Sequence, residues 1–219
     1  WRDRVRTCLL LNKVDRLIVE LELTPMEAYE RLLKIVEQVN AVNQMLLSEA
    51  AMAKDADGAE AAAEAAPGAD EGIDLAGAEL EFDVAAEEAY TYSPERGNVA
   101  FGSASHGWAF SLGTFARLIA SKMGAKPENL QRVLWGDWTF NKKTKRVQRR
   151  NPVDAKSKPM FVEFVLQQVF AVYEATYKSL NPAVLGKMQA QIAGWKEVDL
   201  ERLAAGQSAV RELMSRWLP

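Results

Sequence analysis

A single cysteine, Cys8, rules out an internal disulfide among these 219 residues. It lies inside an apolar run, so a lone buried thiol is expected, which suits a reducing cytosol or nucleus. No apolar stretch approaches the ~18 residues that a membrane span needs, and no signal peptide opens the chain. The first residue is Trp1 rather than methionine, as in a piece of a longer or processed chain. Nowhere does Gly-x4-Gly-Lys-[Ser/Thr] occur, the loop whose backbone amides cradle phosphates. Asp-x-x-Gly occurs only within the acidic stretch, at 55–58 and 74–77, and neither is read as the turn that would sense a γ-phosphate. There is no internal repeat.

What is present is unevenly charged. Residues 51–90 hold twelve acidic residues and one lysine, a local net charge of −11. The chain's net charge of −3 therefore leaves about +8 on the remaining residues. That basic remainder suits an anionic partner such as RNA or phosphate, though scattered solubilising lysines would give the same total. Hydrophobic residues make up 48% of the chain, enough for a substantial core.

The segment "VRTCLLL" (5–11) reads as a strand buried on both faces of a parallel sheet. A helix follows from Pro25, with Thr24 as N-cap and Glu27 completing a capping box. Its inner face runs through Tyr29, Leu32, Leu33, Val36, Val39 and Asn40. Strand then helix is the α/β pattern. Residues 48–90 are rich in Ala, Glu, Asp and Gly. They bury too little apolar surface to offset their ordering entropy, so an extended, poorly packed insertion is expected, with an Ala-rich middle that is at most transiently helical.

A second buried strand, Asn98 to Gly102, ends in Ser103-Ala104-Ser105. A helix with Leu112, Phe115, Ala116, Ile119 and Met123 on one face comes next. Then come a short helix near Glu128–Trp135, a hairpin in "DWTFNKKTKRV", a long helix over 160–179, a short one near 184–193 and a last one near 199–217. The long helix has an aromatic face of Phe161, Phe164, Tyr173 and Tyr177, and the last helix carries Val210, Leu213, Met214 and Trp217.

In parallel α/β sheets, ligands sit beyond the carboxyl ends of strands. Asn12-Lys13-Val14-Asp15 leaves one strand there, and Ser103-Ala104-Ser105 leaves the other. Guanine presents two adjacent donors, the ring imino and the exocyclic amine. One carboxylate, that of Asp15, can accept both in a bidentate charge-assisted contact. Adenine lacks the pair, so discrimination can reach several powers of ten. Asn12 can bridge neighbouring loops, and the Lys13 stem can lie over the base with its head solvated. The small residues Ser103, Ala104 and Ser105 let a backbone N–H, foremost that of Ala104, reach the guanine carbonyl oxygen. Val14 points into the core. An ordinary polar strand exit remains the plainer reading of the tetrapeptide alone.

Longer stretches carry a resemblance. "NKVDRLIVELELTPMEAY", "RGNVAFGSASHGWAF", "LWGDWTFNKKTKR" and "RWLP", in that order, resemble the later half of the GTP-binding domain of the elongation factor two superfamily of translational GTPases. The opening "W…VR" before "LLLNKVDRLIVEL", the helix "KIVEQVNAV" and the long acidic insertion before "YSPERGNVAF" are similar to the elongation factor-like GTPases of large ribosomal subunit maturation. "SHGWAF" is similar to elongation factor two itself.

The resemblance implies a partial P-loop GTPase-type domain, a parallel sheet flanked by helices that lacks its N-terminal phosphate-binding half and carries an inserted α+β subdomain. It implies GTP or GDP as ligand, with Asn12, Lys13, Asp15, Ser103, Ala104 and Ser105 at the base. Mg2+ would be held in the parent protein by ligands outside this chain. Residues 1–47, 91–124 and 196–219 would belong to the GTP-binding domain, 48–90 to the acidic insertion and 125–195 to the subdomain. The implied partners are the large ribosomal subunit, the Shwachman–Bodian–Diamond protein and the anti-association factor that GTP hydrolysis evicts, in the cytoplasm and away from membranes.

The family's catalytic histidine belongs to a motif absent here. His106, the lone histidine, does not inherit that role and reads as part of a packed turn. The cations Lys142, Lys143, Lys145, Arg146, Arg149 and Arg150 form either a solvated basic loop or a salt-sensitive contact to ribosomal RNA. Two further readings stay open: translocation by elongation factor two, and a non-catalytic ribosome- or RNA-binding module.

Overall fold

The computed structural model describes residues 7–65, 90–151, 153, 157–191 and 205–218. They fall into two compact units, one of Cys8–Lys34 with Ser93–Pro219 and one containing Ile35–Tyr92.

The first unit holds a three-stranded sheet in the order β1-β2-β3. Strand β1 (Leu9–Leu11) runs parallel to β2 (Val99–Ser103), pairing Leu9 with Val99 and Leu11 with Phe101. Those are the two strands that the apolar runs announce. Strand β3 (Trp108–Ser111) was not expected and lies antiparallel to β2, with Ser103 opposite Trp108. Its in–out alternation, with Trp108 and Phe110 buried and Ala109 exposed, spans too few residues to stand out beside the turn before it.

One face of the sheet is core: Leu11, Val99, Phe101, Trp108 and Phe110 are all buried. On the other face Leu10 is 54% exposed. The expectation of a strand buried on both faces is thus corrected for β1, which is an edge strand of this sheet with one covered face. Cys8 is corrected with it. It precedes the strand and is exposed.

Helix α1 (Val14–Val19) starts inside the Asn-Lys-x-Asp stretch, and its Val14 and Leu17 are buried. Helix α2 (Pro25–Ala65) opens with the expected capping box. The Glu27 N–H donates to Thr24 Oγ1 at 3.3 Å and the Thr24 N–H to Glu27 Oε2 at 2.8 Å. The Thr24 N–H, with the Thr24 hydroxyl that also donates to Oε2 (2.7 Å), holds the Glu27 carboxyl below the usual carboxylate range.

Helix α2 does not stop where the acidic composition begins. It continues to Ala65, so residues 48–65 are helical rather than extended. Alanine and glutamate are strong helix formers, and an already nucleated helix propagates through them on propensity. Residues 66–89 of the expected insertion lie outside the described residues.

In the second unit the chain returns at Tyr90 to Tyr92 against α2. Asn40 Nδ2 donates to the Tyr92 carbonyl (2.7 Å), the Tyr92 N–H donates to Asn40 Oδ1 (2.8 Å), and Asn43 Nδ2 donates to the Tyr90 carbonyl (3.1 Å). The mid-helix asparagines thus pin the chain's return.

Helices α3 (Leu112–Met123) and α4 (Pro127–Leu134) follow in the first unit. The hairpin is β4 (Trp138–Asn141) with β5 (Arg146–Arg149). The aromatic segment begins with a π-helical turn, Val162–Leu166, and runs into α5 (Gln167–Thr176). Helices α6 (Pro182–Gln191) and α7 (Gln207–Trp217) complete the described elements. Val210, Leu213, Met214 and Trp217 are buried in the register the sequence shows, and Trp217 meets Phe115 edge-on at 5.6 Å. Among the described residues no helix is long and apolar enough to cross a membrane.

Candidate functional site

Because β1 and β2 are parallel and paired at Leu11 and Phe101, their carboxyl ends leave the sheet side by side. Asn12 follows one and Ala104 the other. The side-chain carbonyl of Asn12 accepts the backbone N–H of Lys13 (2.8 Å) and that of Ala104 (3.0 Å), so one amide oxygen joins two loops that are 92 residues apart.

Lys13 adopts a left-handed backbone, φ 65° and ψ 33°. For a residue with a Cβ this costs about 1–3 kcal/mol unless its surroundings hold it there. The Asn12 acceptor on its N–H and the Arg16 N–H on its carbonyl (3.1 Å) do so. The kink turns Val14 into the core and sets Asp15 in the first turn of α1, with the Lys13 side chain exposed.

Asp15 Oδ2 accepts from Ser105 Oγ at 3.3 Å. Its Oδ1 is buried without a hydrogen-bond partner. A carboxylate oxygen with no donor is unmet accepting capacity, and a base presenting two adjacent N–H donors would satisfy it. The Ser105 contact is long enough to yield to a ligand.

The sequence offered the Ala104 N–H as donor to a purine carbonyl oxygen. The structure commits that N–H to Asn12, so it reaches a ligand only as a shared donor or after Asn12 releases it. All six sequence-derived residues, Asn12, Lys13, Asp15, Ser103, Ala104 and Ser105, are nonetheless brought together at this one strand end.

The loop has a polar backing. Buried Ser103 receives the His106 N–H on its Oγ (3.2 Å) and lies 3.0 Å from Ser105 Oγ. His106 is only 4% exposed, and its Nδ1 is 2.6 Å from the Tyr173 hydroxyl, which also accepts from Trp108 Nε1 at 3.0 Å. Tyr173 went unnoticed as a site-supporting residue, since at its position a tyrosine and a phenylalanine look alike in an apolar face.

Beside the loop an open depression of about 270 Å³ is lined by Leu10, Asn12, Ser103, Ala104, Gly107 and Trp108, among others; Asp15 is not in its wall. Gly102 also lines it, and a Cβ there would lie 2.6 Å from the Trp108 carbonyl oxygen, so the β2–β3 approach requires glycine.

In the hairpin, several of the six cations are engaged. Lys142 pairs with Glu163 (2.7 Å) and Arg150 with Asp137 (3.3 Å), and the Arg149 guanidinium sits 4.1 Å from the centre of the Trp138 ring. Lys143, Lys145 and Arg146 stand exposed at the tip.

No protein-family model matches the chain. Its whole length is 35% identical, over 226 residues, to 19% of the "Elongation factor-like GTPase 1" of Mus musculus. The protein of that name in Homo sapiens is 36% identical over 178 residues, covering 81% of this chain and 16% of the relative. "Ribosome assembly protein 1" of Schizosaccharomyces pombe is 39% identical over 183 residues, covering 83% of this chain and 16% of the relative. The chain thus spans less than a fifth of the length of the curated relatives it matches.

Proposed function

We propose that this chain, whose homologues are the elongation factor-like GTPases and ribosome assembly proteins, is the guanine-recognition portion of a translational-type GTPase acting in cytoplasmic maturation of the large ribosomal subunit. One observation carries the reading: Asn12 ties the two loops at the ends of parallel strands while Asp15, with one oxygen unpartnered, faces Ser105 across the same junction.

In this reading Asp15 accepts the imino and amine donors of guanine, Lys13 covers the base and Ser103 to Ser105 line its carbonyl side. The residues present suit the base of GTP or GDP. The triphosphate and Mg2+ are held by parts of the parent protein outside this sequence, which contains no phosphate loop. Hydrolysis in the parent releases an anti-association factor from the pre-large subunit together with the Shwachman–Bodian–Diamond protein. Residues 125–195 form the added subdomain, 48–90 the acidic insertion, and Lys143, Lys145 and Arg146 offer phosphate-directed contacts to ribosomal RNA.

The test is Asp15→Asn in the full-length parent. Xanthine carries a carbonyl where guanine has its amine, and the new amide donor matches it. GTP affinity should fall by at least tenfold, the equivalent of one charge-assisted bond, while xanthosine triphosphate gains. Unchanged GTP affinity with no gain for xanthosine triphosphate would remove Asp15 from the base site. If the variant still binds ribosomes through the hairpin while no purine preference exists, the chain is a non-catalytic ribosome-binding module.

A further inference from the structure

We infer that Tyr173 is a positioning residue for the guanine loop, acting through His106. This rests on the base-site reading above. The hydroxyl of Tyr173, on α5, is shared by two groups from the β2–β3 connection: Trp108 Nε1 at 3.0 Å and His106 Nδ1 at 2.6 Å. An indole N–H only donates. The Tyr173 oxygen therefore accepts from Trp108, and we assign its single proton to His106 Nδ1. With that assignment the imidazole is neutral and carries its own proton on Nε2.

From His106 the contacts run forward to the site. Its backbone N–H donates to Ser103 Oγ, which is in contact with Ser105 Oγ, and Ser105 Oγ donates to Asp15 Oδ2. Ser103 and Trp108 are paired opposite each other across β2 and β3, so the Tyr173 hydroxyl closes the turn Ala104–Gly107 from behind. Tightening that turn brings Ala104 to Asn12 and Ser105 to Asp15.

Asp15 of α1 favours the protonated form of His106, while burial, the stronger influence, disfavours it and lowers its pKa. Tyr173 and Tyr177 present rings 5.5 and 6.4 Å from the imidazole. The Arg211 guanidinium of α7 lies beside Gly107, where a Cβ would be 3.5 Å from its Nε. The protonated imidazole has a donor where Tyr173 now donates, so protonation breaks the relay.

The experiment measures GDP affinity and dissociation rate in the full-length parent for wild type, Tyr173→Phe and His106→Asn, from pH 5.5 to 7.5, with thermal melts alongside. Tyr173→Phe removes only the hydroxyl. It should weaken GDP roughly tenfold, mainly through faster release, in a protein still folded at the assay temperature; because the hydroxyl serves both buried Trp108 and His106, the melting temperature should also fall by several degrees. Wild-type affinity should decline toward pH 5.5. His106→Asn keeps an acceptor near the Nδ1 position but cannot titrate, so it should lose the decline, whatever its affinity at pH 7.5.

Wild-type GDP affinity in Tyr173→Phe, a loss only in step with melting, or an unchanged pH decline in His106→Asn would each overturn the inference. Asp15→Asn, run in the same series, separates the two levels. A shift toward xanthosine triphosphate with no effect of Tyr173→Phe overturns the positioning role alone, whereas no shift overturns the base site and this inference with it.

Discussion

Replacing Asn12 by alanine tests the junction between the two loops without involving a ligand. The side chain accepts two backbone N–H groups, from Lys13 and Ala104, and the first of them also holds Lys13 in its left-handed conformation. Each bond is worth about 0.5–1.5 kcal/mol net. Both donors are on exposed residues, where water can replace the lost acceptor, so the lower part of that range applies. The sum is about 1–2 kcal/mol, or roughly 2–8 °C in Tm for a chain of this size. Asn12→Asp retains an acceptor oxygen at the same place and should recover at least half of the loss at pH 7. Urea unfolding followed by circular dichroism reads both variants. The reasoning fails if Asn12→Ala unfolds within about 0.3 kcal/mol of the unmodified chain, or if Asn12→Asp is as unstable as Asn12→Ala.

Gly102→Ala should cost about 1–3 kcal/mol, because the new methyl meets the Trp108 carbonyl oxygen and neither backbone can yield; an unchanged urea midpoint would contradict that geometry. The pH dependence follows from the lowered pKa of His106. Between that pKa and the ordinary value near 6.5 the unfolded chain binds more protons than the folded one, so stability rises with pH through this window and falls as pH drops. Urea midpoints at pH 5.5 and 7.0 should therefore converge in His106→Asn relative to the unmodified chain. Calorimetry on the 219-residue chain should find GTP binding no tighter than millimolar and no phosphate release. A base clamp alone offers a few bonds against the cost of immobilising the ligand, so micromolar affinity would mean that the phosphate site has been misplaced.

Local chemistry was legible before any coordinates. The Thr24–Glu27 capping box, the face of α7, the hairpin turn between Trp138 and Arg149 and the apolar runs of β1 and β2 each depend on residues a few positions apart, so spacing and turn propensity suffice to find them. The Asn-Lys-x-Asp and Ser-Ala-Ser exits could be named as one site because parallel strands share a carboxyl edge.

One thing was misread in the sequence, and two were decided only in three dimensions. Helix α2 runs to Ala65 because propagation needs propensity and not burial, a distinction that composition does not make. Cys8 and Leu10 are exposed because they lie at and beside an edge strand, and an apolar run reads the same whether one face or two is covered. The Ala104 N–H points at Asn12, and Tyr173 at His106, across 92 and 67 residues. Such bonds exist only once packing has chosen which strand and which helix are neighbours. A short polar side chain then takes whichever partner the backbone has already brought within about 3 Å.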